Sequence, residues 1–366
     1  MSLAHRNLFQ DKTRLLLSVA GVALAVMLIL ILSGFLAGMN HQITSYLNNS
    51  PGSVMVTQKG VVNMLGATSL LPPGADVQVE AEQGVEQVIP ILSQFVILDL
   101  HDKKLPAYMI GYDPGQGGGP WRIRAGREPQ TDDEMVFDWV LAGRHDLSLG
   151  DSLDLMGQTF KIVGLTDGTT SWMTSFFFIT RKAAENLLRT PGAVSFLLIT
   201  PVEGTNSEDL IRRLDDLPGI NALTKARMAA NDLELFANIF SMPLRLMVAI
   251  AFLVGTMIVG LVIYTATVER QREYGVLKAI GAPNRVLYRV VTTQALFASL
   301  AGSLVGILLA YGLAGWIMGA RPQFLIVLDP ADMLWALLSG LGMALAAALF
   351  PARMIAGLAP AEVFRK

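Results

Sequence analysis

Four stretches of this 366-residue sequence contain no Asp, Glu, Lys or Arg and are apolar enough to cross a bilayer: Leu15–Met39, Leu246–Val268, Val290–Ala320 and Met333–Ala352. A helix of about 20 residues spans ~30 Å of hydrocarbon, so each run reads as a transmembrane helix. The composition agrees. The chain is 52% hydrophobic and 16% charged, with a mean hydropathy of +0.47, too apolar for an ordinary soluble protein. The first run has 25 residues, well beyond the signal-peptide core of about 7–15, and no clear A-x-A site follows. It is therefore read as a span and not as a cleaved leader.

Charge sets the expected orientation. Residues 1–14 carry Arg6, Lys12 and Arg14, the 269–289 connector carries Arg270, Arg272, Lys278, Arg285 and Arg289, and the tail carries Arg353, Arg365 and Lys366. These 11 basic residues face four acids, Asp11, Glu269, Glu273 and Glu362. The loop between the third and fourth spans has only Arg321, with Asp329 and Asp332. The positive-inside rule then makes both termini and the connector cytoplasmic. Residues 40–245 lie outside, with 16 basic and 24 acidic residues. Nucleic acid is no partner for either side on this balance.

The expected fold is an α-helical membrane protein with four transmembrane helices and an α+β extracytoplasmic domain inserted between helices 1 and 2. The expected boundaries are a cytoplasmic segment 1–14, helix 15–39, the outer domain with helical stalks 40–245, helix 246–268, the cytoplasmic connector 269–289, helix 290–320, an outer loop 321–332, helix 333–352 and a cytoplasmic tail 353–366. In the outer domain, runs rich in Val, Ile and Phe predict strands at Ser53–Gln58, Val88–Leu100, Leu105–Gly111, Glu134–Ala142, Ser152–Leu165, Ser175–Thr180 and Val194–Thr200. Amphipathic spacing predicts helices at Arg181–Leu188, with Thr180 as N-cap, and at Ser207–Leu217, ended by Pro218-Gly219. Leu233, Leu235, Phe236, Ile239 and Phe240 suggest a helix running into the second span.

Few residues suggest chemistry. There is no cysteine, which excludes disulfides, thiolate catalysis and Cys-ligated zinc. His5, His41, His101 and His145 are scattered and read as surface or loop residues. No H-E-x-x-H, G-x-S-x-G or G-x-x-x-x-G-K-[ST] occurs, so no catalytic, metal or cofactor site is expected, and the chain carries no Walker A site. The loop GYDPGQGGGPW, Gly111–Trp121, leads into strand-like sequence where a phosphate-binding loop would lead into a helix. It reads as a flexible surface loop. Asp132-Asp133-Glu134 reads as a solvated turn.

The spans hold no ionisable Asp, Glu, Lys or Arg of the kind that ion-coupled carriers place at mid-membrane. They do hold small residues at four-residue spacing: Gly302, Gly306, Ala310 and Ala314 in the third, Ala336, Gly340, Ala344 and Ala348 in the fourth, and Gly34 and Gly38 in the first. Such rows let helices approach closely, within the chain or between protomers.

The connector ERQREYGVLKAIGAPNR, Glu269–Arg285, is the least membrane-like part of the C-terminal half. Helical spacing puts Tyr274, Leu277, Lys278 and Gly281 near one face, with Val276 and Ile280 close by. Gly281 suits an αL position after a helix, and Pro283 suits the first turn of the next. Gly275 sits in mid-helix at a cost of about 1 kcal/mol relative to Ala, which suggests the close approach of another protein's surface. A plain membrane-surface connector is the other reading of the same pattern.

ERQREYGVLKAIGA resembles the signature of the MacB/FtsX-like permeases of ABC transporters, E-R-x-x-E-[IY]-G-x-L-[KR]-A-[IL]-G-A. The opening A-x-R-N-L at Ala4–Leu8, the stretch Val140–Asp167 and the ending PARMIAGLAPAEVFRK, with Phe364 where Leu is usual, are also similar to that family. The resemblance implies a permease subunit that binds no cofactor itself and meets ATP and Mg only through a separate cytoplasmic ATPase. It implies that Glu269, Arg270, Glu273, Tyr274, Gly275, Leu277, Lys278, Ala279, Gly281 and Ala282 form the coupling helix that docks on that ATPase. It implies a second permease copy or paralogue and a place in the bacterial inner membrane; a periplasmic adaptor and an outer-membrane channel are further partners in some systems. ATP-driven motion would cross the membrane to export or extract a lipid-like, peptide or drug-like substrate. The alternative is a permease-like regulator of a periplasmic enzyme, or a lipoprotein-release permease.

Overall fold

The structure, a computed structural model, describes residues 12–100, 103–171, 174–269 and 271–357. The Ala4–Leu8 motif, His5, His101, Arg270 and the tail 358–366 lie outside the described residues. The chain forms two compact units, one of apolar helices and one comprising the inserted residues 39–239 with 322–325.

The helical unit contains α1 (Lys12–Ile43) and, later in the chain, four further helices. They are α8 (Met242–Glu269), α9 (Gln271–Ala279), α10 (Asn284–Ala320) and α11 (Pro330–Gly357). Four helical stretches among the described residues are long and apolar enough to cross a membrane. The small-residue rows are used within the chain. A methyl placed on Gly302 would lie 2.6 Å from Val22 Cβ, and one on Gly306 would lie 2.6 Å from the Ala23 carbonyl oxygen. One on Gly340 would lie 2.2 Å from Ser303 Oγ, and one on Gly255 would lie 2.5 Å from Ala25 Cβ. Ala310, Ala336 and Ala344 are buried in the same contacts. So α1 lies against both α8 and α10, and α10 meets α11. Packing of this closeness replaces the hydrophobic effect, which does not act between helices in lipid.

The inserted unit is built on a ten-stranded sheet. Its strands are β1 (Val54–Gln58), β2 (Val85–Leu100), β3 (Lys103–Tyr112), β4 (Ile123–Gly126), β5 (Glu134–Asp138), β6 (Ser152–Leu155), β7 (Gln158–Thr166), β8 (Ser175–Thr180), β9 (Phe196–Pro201) and β10 (Ile220–Thr224). The order is β10-β1-β9-β2-β3-β8-β5-β7-β4, with β6 paired to β7. Pairing is antiparallel except for β3 with β8 and β5 with β7. The 16-residue β2 joins the two halves. Its first half pairs with β9 from Val85 to Ile91, and its second half pairs with β3 from Leu92 to Leu100. The apolar run of β8 is buried on both faces. Phe177 and Ile179 enter one core with Phe137 and Phe160, while Phe176 and Phe178 enter another with Tyr46, Met55 and Phe196. A strand covered on both sides has no polar face to alternate with.

Short helices complete the unit: α2 (Ser45–Asn49), α3 (Ala75–Glu80), α4 (Trp139–Arg144), α5 (Arg181–Leu188), α6 (Ser207–Asp215) and α7 (Lys225–Phe236). Thr180 caps α5 as expected, accepting from Ala183 N at 3.1 Å. Two expectations are corrected. The strand read at Glu134–Ala142 stops at Asp138, whose buried carboxylate accepts from Leu141 N at 2.8 Å and opens α4. The single strand read at Ser152–Leu165 is a hairpin, β6 and β7, turned by Met156 and Gly157, both at positive φ, +51° and +85°. Strand β10 and helix α3 were not expected from the sequence. Helix α7 continues through a π turn, Ala237–Ser241, into α8, so the chain is helical from Lys225 to Glu269.

Asp232 on α7 is fully buried, and its Oδ1 accepts from Met64 N at 3.0 Å and Leu65 N at 3.1 Å. Burial pushes this carboxyl up to about 6, against those two bonds. Its ionised form is thus disfavoured by folding, so its contribution to stability is present at low pH and is lost as pH rises through about 6. The thermal midpoint of the wild type relative to Asp232→Asn should fall between about pH 4 and 6.5 and level off above, a change worth roughly 1–3 kcal/mol. The asparagine Oδ1 keeps both backbone bonds, so a flat difference would exclude this account. A second expectation concerns helix packing. Gly306→Ala should lower the thermal midpoint in detergent by the equivalent of about 1–3 kcal/mol. Gly312→Ala should not, because a methyl there meets nothing within 4 Å.

Candidate functional site

The connector between α8 and α10 is the most distinctive polar element of the helical unit. Helix α9 follows the end of α8 at Glu269 and closes in a Schellman motif. Gly281 N donates to Lys278 O at 3.0 Å, and Ala282 N donates to Leu277 O at 2.9 Å. Gly281 holds φ +93°, which side chains resist and glycine accepts. Pro283 then stands at the N-cap of α10, in extended backbone. Local chemistry thus ends one helix and starts the next within four residues.

The two faces of α9 differ. Tyr274 is only 4% exposed and joins the cluster of Val22, Val26, Leu287 and Val291. Leu277 packs against the same cluster, Lys278 is half-buried, and Gly275 is buried. Opposite lie Glu273, Val276 and Ile280, spaced i, i+3 and i+7, all exposed. Val276 is 45% and Ile280 76% exposed. Glu269, Ala279 and Gly281 are also exposed, and Ala282 is half-buried. An exposed branched apolar pair flanked by charge resembles the centre and rim of a protein interface more than a solvated helix face.

Of the ten residues read from the sequence as the coupling site, Tyr274, Gly275 and Leu277 seat the helix. Glu269, Glu273, Ala279 and Gly281 are open, Lys278 and Ala282 are intermediate, and Arg270 lies outside the described residues. Sequence reasoning missed Val276 and Ile280 as exposed contacts. Their i, i+4 spacing, about 200–240° around the helix from Tyr274, was the available signal.

In the acidic turn of the inserted unit, Asp132 and Glu134 are tied to structure. Glu134 pairs with Arg127, and its Oε2 accepts from Gln130 N at 2.7 Å. Asp132 accepts from Thr180 Oγ1. Among the described residues no group of three His, Asp or Glu could hold a metal ion.

Two family models match the chain. A MacB-like periplasmic core domain covers residues 15–217, and an FtsX-like permease C-terminal domain covers residues 245–360, which contain α9. An uncharacterized ABC transporter permease of Mycobacterium tuberculosis is 25% identical over 319 residues, 85% of each chain. A permease of Staphylococcus haemolyticus named for a hemin transport system is 22% identical over 314 residues, 85% of this chain and 84% of that one. Among solved structures, the periplasmic region of MacB from Actinobacillus actinomycetemcomitans aligns with 50% of this chain and 94% of its own. That alignment has 14% identity and a TM-score of 0.37, a loose likeness that carries no weight alone.

The Gly281 turn offers a test that involves no partner. A methyl there meets nothing within 4 Å, so any effect is one of backbone conformation. Gly281→Val should destabilise the permease by about 1–2 kcal/mol and Gly281→Asn by less, since Asn tolerates αL. Equal thermal midpoints for the two variants would refute this.

Proposed function

The chain belongs to the MacB/FtsX-like family of ABC transporter permeases, and from that premise we propose that it carries ATP-driven motion from a separate ATPase to its outer domain, powering export. Helix α9 is the point of contact. Its Tyr274 face is anchored among the spans while Glu273, Val276 and Ile280 face the ATPase, and this division of faces is the observation that carries the reading. A push on the outer face is delivered to helices held together by close packing. The basic connector and the charge-free spans fit this scheme: the connector lies on the cytoplasmic side of the inner membrane, both termini lie there too, and no ionisable route for a polar substrate crosses the lipid.

The substrate class is lipid-like, peptide or drug-like, collected on the outer side, and the permease works as a pair, with a second copy or a paralogue. ATP and Mg stay with the ATPase. The relative named for hemin transport adds an amphipathic macrocycle to the substrates worth assaying. An adaptor and an outer-membrane channel complete the path where the envelope has two membranes.

The double variant Val276→Arg/Ile280→Arg should leave the thermal midpoint unchanged, since both residues are exposed. It should reduce permease-stimulated ATP hydrolysis at least tenfold when the permease and its ATPase are reconstituted together. Full stimulation by that variant would remove α9 as the contact.

A further inference from the structure

Helix α8 is the least covered of the four long apolar stretches: 17% of its most apolar part is buried, against 33–50% in the others. Its buried side is accounted for. A methyl on Gly255 would lie 2.5 Å from Ala25 Cβ of α1 and 2.9 Å from Met343 Sδ of α11, and Ala251, one turn earlier, is buried too. Two residues on from each, about 200° round the helix, Leu253 and Met257 are exposed.

These two belong to a longer row. From Met242 to Val268 it advances by 4, 4, 3, 4, 4, 3 and 4 residues, and every position holds an exposed hydrophobic side chain. The same spacing continues upstream in the sequence to Ile239 and Leu235, which are exposed in the inserted unit. The underlying 11-residue repeat has about 3.67 residues per turn, close to the period of the helix itself, so the row runs almost straight along one side. Met242 to Val268 covers about 39 Å at a rise of ~1.5 Å per residue, more than the ~30 Å of hydrocarbon.

Lipid alone does not cover such a row. Arg245, exposed on the same helix, marks where hydrocarbon gives way to water. Met242, beyond it, is 77% exposed, and Ile239, further out, is 56% exposed. A continuous apolar row outside the hydrocarbon calls for a protein cover. A soluble partner would reach only that outer end. A partner that follows the whole row lies in the same membrane and runs beside α8. Next to the inner end of the row, α8 and α11 leave a groove of about 740 Å³ lined by Met257, Leu261, Tyr264, Ala347 and Pro351, with room for side chains of such a partner.

We propose that this row is the surface on which a second copy of the chain docks, α8 against α8, parallel, about a two-fold axis normal to the membrane. Two copies share one orientation in the bilayer, so each row residue meets its own counterpart at the same depth, as an isologous interface requires. The inference rests on the pairing stated above and gives that pairing its surface.

The chain has no cysteine, so each introduced thiol is unique. Met242→Cys, Leu246→Cys and Met257→Cys probe the row. Met247→Cys and Ile258→Cys are the controls: both residues are exposed and lie at nearly the depth of Leu246 and Met257, but about 100° round the helix. In proteoliposomes of the full-length permease, oxidation by copper phenanthroline should join the row variants into covalent dimers at least fivefold faster than the controls. Equal rates at row and control positions, or faster joining of the controls, would overturn the proposal. Light scattering of the wild type in detergent separates the two ways of failing. A dimeric mass without preference for the row removes this surface and leaves the pairing in place, whereas a monomeric mass without cross-linking removes both.

Discussion

The absence of a side chain at Gly302 and Gly306 is what lets α1 and α10 touch backbone to side-chain root. A single methyl at Gly306 would press on the Ala23 carbonyl oxygen at 2.6 Å. In lipid no water is released by helix association, so van der Waals contact must hold the bundle, and contact of that kind falls away within an ångström. The remaining helical contacts follow from this approach. Val22 and Val26 on α1 reach the cluster that receives Tyr274, Leu287 and Val291, so the seat of α9 is built partly by the helix that opens the chain. A connector that carries charge is thereby joined to an interior whose buried polar residues, among those described, are serines and threonine, such as Ser299, Ser303 and Thr267.

The parts of this architecture legible in the sequence are those where one physical demand overrides all others. A span cannot hold unpaired charge in hydrocarbon, so the four apolar runs stand out. Small residues every fourth position announce close packing but do not name the partner, and only the contacts of Gly302 with Val22 and of Gly340 with Ser303 assign it within the chain. Gly281 was readable because one backbone conformation needs it. The outward face of α9 was not. The familiar motif drew attention to Tyr274 and Gly275, which are buried, whereas the less distinctive Val276 and Ile280 are exposed.

The inserted domain shows where short-range signals fail. Trp139-Val140-Leu141-Ala142 has the composition of a strand, yet Asp138 turns it into a helix by capping Leu141 N while buried among threonine hydroxyls of residues 169 and 170. Met156 at positive φ gives no compositional warning of a hairpin. The glycines of Gly111–Trp121 suggested freedom, because glycine is usually chosen for it. Here they serve contact: the ring of Tyr112 and the methyl of Ile91 fill the space that side chains would take. The same residue type carries opposite meanings depending on what lies opposite, and a sequence does not say what lies opposite.

Strand β2 belongs to both halves of the large sheet, paired to β9 along one stretch and to β3 along the next. Two half-sheets joined by a loop could open independently, each melting at its own temperature. A common strand denies them a seam: freeing either half means stripping the backbone ladder from β2, which exposes the edge of the other. The domain is therefore expected to behave as one cooperative unit, so that a disturbance at either end is felt as a change in the whole plate.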